Sequence, residues 1–85
     1  PDDPWAGSIV DEAPPRSRAE IKRDLRDTNA DRVREIVART AMGYPEVNSR
    51  LNREAGIDRI TEATIAGLTR RLTAADRWIA TLRGR

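Results

Sequence analysis

The chain has 85 residues, no cysteine and no histidine, and a net charge of +2 from sixteen basic and fourteen acidic groups. That length supports one small domain, and small domains bury proportionally little surface. Disulfides and thiolate metal sites are excluded, a zinc site would need carboxylates alone, and no stretch approaches the roughly 20 apolar residues of a membrane span.

Stability must therefore come from packing, and no cofactor, small-molecule substrate or membrane contact is expected. With no signal-peptide core, a cytoplasmic setting is the default. The chain opens on Pro1 without a methionine, so it is expected to be the C-terminal piece of something longer. Residues 1–15 carry Asp2, Asp3, Asp11 and Glu12 and nothing basic, so every basic group follows them. All of those except Lys22 are arginine. Guanidinium forks grip phosphate and carboxylate, and a GC-rich coding bias gives the same composition.

In chain order, residues 1–16 read as a disordered acidic linker. Pro1, Pro4, Gly7, Pro14 and Pro15 oppose regular structure, and little apolar bulk relieves the charge. Trp5 after Asp-Asp-Pro makes residues 1–12 a candidate docking peptide for a protein partner; the alternative is a tether. A helical domain is then predicted over 17–85. Ser17 with Glu20 forms a capping box. Ile21 and Leu25 follow one turn apart, and Asp27-Thr28-Asn29 is a poor helix interior. Two segments, restarting near Ala30, are slightly preferred over one helix reaching about Met42, although Ile21, Leu25, Asn29 and Val33 form a four-residue ladder.

Gly43 is expected to end that helix in a left-handed conformation and Pro45 to open the next, with Tyr44 as a staple and Val47 and Leu51 inward. Gly56 ends the second helix near Ala55, and Ile57 and Ile60 plug the core from the connection. Thr61 is read as the cap of the last helix. Its stripe is Ile65, Leu68, Leu72, Ala75, Ile79 and Leu82, at alternating steps of three and four. Gly67 is placed on the outer face, at a cost of about 1 kcal/mol against alanine. Trp78 covers the edge of the stripe, and Arg83 to Arg85 fray. The expected core is Val33, Ile36, Val37, Val47, Leu51, Ile57, Ile60 and the stripe: an all-α bundle of three or four helices without strands.

No carboxylate sits in an apolar slot and no nucleophile has a base, so catalysis is not expected. The arginines carry more. Arg50 and Arg53 lie on the second helix, Arg59 in the connection, and Arg70, Arg71 and Arg77 on the last. The 45–82 segment resembles a helix-turn-helix in outline, though its connection is longer than that motif's. These six arginines are the candidate contacts to a nucleic-acid backbone, sequence-independent and salt-sensitive. The competing reading is a solvated face with ordinary ion pairs. A further alternative is a protein-recruitment or oligomerisation module without nucleic-acid contact.

The segment 30–82 runs from Asp31-Arg32-Val33-Arg34-Glu35-Ile36 through Met42-Gly43-Tyr44 and Glu46-Val47-Asn48-Ser49-Arg50-Leu51-Asn52. Gly56-Ile57 and Ile60-Thr61-Glu62-Ala63-Thr64 then lead to the last helix. This rhythm, preceded by Asp2-Asp3-Pro4-Trp5, resembles the C-terminal helical domains of phage-type single-strand annealing and recombination proteins. The likeness covers about two-thirds of the chain and rests on pattern. It implies an accessory domain that assists DNA binding or recruits replication and repair partners, with the annealing core lying elsewhere.

Overall fold

The computed structural model describes residues 16–84, and they form three α-helices: α1 (Arg18–Arg39), α2 (Tyr44–Ala55) and α3 (Ile65–Arg83). No strand occurs among the described residues. The acidic linker and the Trp5 docking peptide lie outside them.

Local chemistry sets the helix ends. Ser17 accepts from the Glu20 amide at 3.1 Å while its own amide donates to the Glu20 carboxylate at 2.9 Å. The reciprocal bond holds the Glu20 carboxyl below the usual carboxylate range. α1 then runs unbroken through Asp27-Thr28-Asn29, contrary to the two-segment expectation. The reason is tertiary. Asn29 is fully buried, and its side-chain amide donates to Leu25 O at 2.8 Å and to Leu68 O on α3 at 3.2 Å. A residue that competes with helix in isolation is held in one by its partners.

Gly43 is extended (φ −88°) and starts α2 instead of ending α1 in a left-handed turn; its amide donates to Glu46 at 2.9 Å. Tyr44 is the first residue of α2, not the one preceding its cap where a staple sits, and is 49% exposed. Gly56 does adopt the left-handed conformation (φ 71°). Its amide bonds Arg53 O and that of Ile57 bonds Asn52 O, the paired closure of a Schellman turn. Residues 60–62 make a 3₁₀ turn. The cap of α3 is therefore Thr64, which accepts from Gly67 N at 3.0 Å, and not Thr61.

The core gathers Val33 and Ile36 from α1, Val47 and Leu51 from α2, and Ala75 and Ile79 from α3. Val37, Met42, Ala74, Trp78 and Leu82 pack around it. Leu68, Ala55 and Ala63 are buried as well, whereas Ile57, Ile60, Ile65 and Leu72 are only half-buried. α3 is turned relative to the expected stripe. Its buried line is Gly67, Leu68, Arg71, Ala75 and Ile79. Gly67 thus faces inward: a Cβ there would lie 2.9 Å from Ile57 Cγ2, so glycine permits a close approach and is no surface defect.

Charged clamps close the α1–α3 seam. Arg32 pairs with Asp76 at 2.8 Å, and Glu35 accepts from Arg83 at 2.7 Å and Arg39 at 3.0 Å. Arg83 is consequently helical and engaged, and Asp76 serves Arg32 instead of its neighbour Arg77. The Arg83 hydrogen bond above all, with that of Arg39, lowers the Glu35 carboxyl below its ordinary value. Its folded pKa lies below the unfolded one, so the contribution is present above the unfolded pKa and lost as pH falls through the folded value. Thermal melts from neutral pH to below about pH 4 are expected to show an acid-labile component that Glu35→Gln removes. An unchanged acid limb in that variant would discount the clamp.

Candidate nucleic-acid interface

The six candidate arginines do not share one surface. Arg50, Arg70 and Arg77 do: with Glu54, Ala74, Trp78 and threonines 69, 73 and 81 they line two adjoining recesses in the groove between α2 and α3. Each recess has a volume of 240–300 Å³. Helical spacing explains the grouping. Arg70 and Arg77 are seven residues apart on one face of α3, and the α2 turn from Arg50 to Glu54 faces them.

The Arg50 guanidinium lies 4.2 Å above the Trp78 ring centroid and also bonds Glu54 at 3.1 Å. A planar cation stacked on an indole is held flat at the groove edge. Arg70 donates to Ala55 O at 3.1 Å, which anchors its side chain against the C-terminus of α2. Among the described residues no carboxylate pairs with Arg70 or Arg77. Glu54 is the one acid lining these two recesses.

Arg59 stands at the end of the groove, in a recess that also includes Arg70, and pairs with Glu62 at 3.7 Å. Asp58 and Glu62 line the same recess, so positive potential declines towards that end. Arg53 is exposed one turn along α2 and lines none of these recesses.

Arg71 departs from expectation altogether. It is 1% exposed and cannot meet a backbone at the surface. Its guanidinium reaches three asparagines: Nε to Asn52 Oδ1 at 2.8 Å, Nη1 to Asn29 Oδ1 at 3.0 Å, and Nη2 to Asn48 Oδ1 at 2.6 Å. One fork therefore ties α3 to both other helices. Burial pushes the guanidinium pKa below its usual range, and an arginine nonetheless keeps its proton. The sequence did carry a signal. Three asparagines inside helices are each unfavourable there, so together they ask for a common partner.

Elsewhere some cations are paired and some are not: Arg18, Lys22, Arg23, Arg26 and Arg53 have no carboxylate partner among the described residues. On the opposite side Arg32, Arg39 and Arg83 are ion-paired, as are Arg16 with Asp24 and Arg34 with Asp31. No described helix is long and apolar enough to cross a membrane. No family model, curated protein or solved structure matches the chain.

Proposed function

We propose that this chain is a non-catalytic accessory domain of a DNA-transaction protein, such as one acting in recombination or repair, and that the α2–α3 groove meets the nucleic-acid backbone. One observation supports the reading most. The cations lining this groove include two without carboxylate partners, Arg70 and Arg77, whereas those flanking the α1–α3 seam are clamped. An arginine already bridged to glutamate gains little by exchanging one anion for another; an unpaired one gains the full contact.

Trp78 adds an aromatic surface beneath Arg50. The stacked ring holds the guanidinium flat at the groove edge, where it can meet a phosphate. The chemistry fits backbone contact without base reading.

Anisotropy titrations of a labelled single-stranded oligonucleotide at low and moderate salt test this. Binding is expected at low salt, and Arg70→Ala with Arg77→Ala should flatten the salt dependence by about 1.4 units of log–log slope, about 0.7 for each phosphate contact on a single strand. The same charge removal at Arg83, already bound to Glu35, should leave that slope nearly unchanged. Absence of binding at low salt, or equal effects from both sides, would end the proposal.

A further inference from the structure

Glu54 lines both recesses of the α2–α3 groove and stands there among three arginines, Arg50, Arg70 and Arg77. Its position gives α2 little. It is the penultimate residue of the helix, where the axial dipole ends negative and disfavours an anion. Its one ion pair among the described residues runs from Arg50 to Glu54. Arginine first is the weaker order for opposite charges four apart on a helix. The two side chains are 48% and 45% exposed, so solvent screens the pair and its contribution to stability is small.

Arg50 is held twice. Glu54 accepts from its Nε at 3.1 Å, and the Trp78 ring centroid lies 4.2 Å from its guanidinium. Loss of the first hold leaves the second, so the cation stays flat at the groove edge without the carboxylate. Arg70 is fixed independently, through Ala55 O at 3.1 Å. The arginines therefore do not need Glu54 in order to converge, and its charge lowers the positive potential they create.

We infer that Glu54 is an internal competitor for this groove: its carboxylate occupies Arg50 until a phosphate of the nucleic-acid backbone displaces it. The inference rests on the nucleic-acid reading above and adds to it the residue that limits the grip. A displaced carboxylate takes up a cation from solution, so Arg50 contributes little net counter-ion release in the parent chain. With that charge removed, Arg50 becomes a full phosphate contact.

The test compares Glu54→Gln with the parent 85-residue chain, by anisotropy titration of the labelled single-stranded oligonucleotide across a range of salt and by thermal melts. Asp31→Asn is the control: it removes one charge from an exposed pair with Arg34 on α1, and neither residue lines the two recesses. Glu54→Gln is expected to tighten binding about two- to fivefold at low salt, the strength of one exposed ion pair. It should also steepen the log–log slope by about 0.7. Its melting temperature should equal or exceed the parent's, and Asp31→Asn should leave affinity and slope close to the parent's. Parent binding that Glu54→Gln leaves unchanged or weakens would overturn this inference alone. So would an equal gain from Asp31→Asn, which would make the effect one of net charge. A melting temperature clearly below the parent's would overturn it as well, because the pair would then serve α2. A parent chain that does not bind at low salt removes the nucleic-acid reading, and this inference with it.

Discussion

Arg71→Met is expected to lower the melting temperature by about 15 °C. The substitution strands the buried Asn29 carbonyl, and a buried acceptor without a donor costs about 1–3 kcal/mol. It also removes two charge-assisted bonds, to Asn48 and Asn52, each worth about 1.5–3 kcal/mol. Those two asparagines are half-buried and recover water in part. Relief of the buried cation offsets some of the remainder. A net loss of about 3 kcal/mol follows, most of the margin of a domain with about 5 kcal/mol to spare. For a chain of this size each kcal/mol moves the midpoint by about 4–8 °C. Arg71→Met combined with Asn29→Leu should recover part of the loss, because donor and acceptor then disappear together. Circular-dichroism melts of both variants decide it: a single variant melting with the parent would remove the fork from what holds the helices together.

The second large effect separates the observed rotation of α3 from the periodicity of its sequence. Leu68→Ala empties a fully buried site and should cost about 2–5 kcal/mol. Leu72→Ala, at a half-buried position, should cost about 1 kcal/mol. Denaturant midpoints at constant m-value give the ranking. Equal costs, or the reverse order, would mean that α3 sits as the apolar stripe alone suggests.

Helix positions were legible where local chemistry dictates them. The Ser17–Glu20 box, the left-handed Gly56 and the inward Val47 and Leu51 all follow from neighbours in sequence. Local reasoning failed where a distant partner decided the outcome. Asn29 reads as a break and is a helix interior, because Leu68 O and Arg71 lie across the bundle. Gly67 reads as a surface defect and is a point of close approach to Ile57. Thr61 and Thr64 are equally good caps on paper; the 3₁₀ turn at Ile60 to Glu62 favours the later one.

The candidate site was legible in part for the same reason. Charge and spacing located Arg50, Arg70 and Arg77 on one side of the last two helices, and the structure brings them into one groove. Periodicity also marked Arg71 as surface, since an arginine between two leucines reads as the polar flank of a stripe. Only the three asparagines on other helices reveal that it is core.

The bonding of Arg71 has a hereditary consequence. Asn29, Asn48, Asn52 and Arg71 sit on three helices and as many as 42 positions apart, yet the buried pair Asn29 and Arg71 each depend on the other for a partner. Drift at any one of them is penalised until a matching change arrives. Coupled replacement of the quartet is therefore the expected pattern among relatives, whereas an exposed ion pair of the α1–α3 seam costs less to lose.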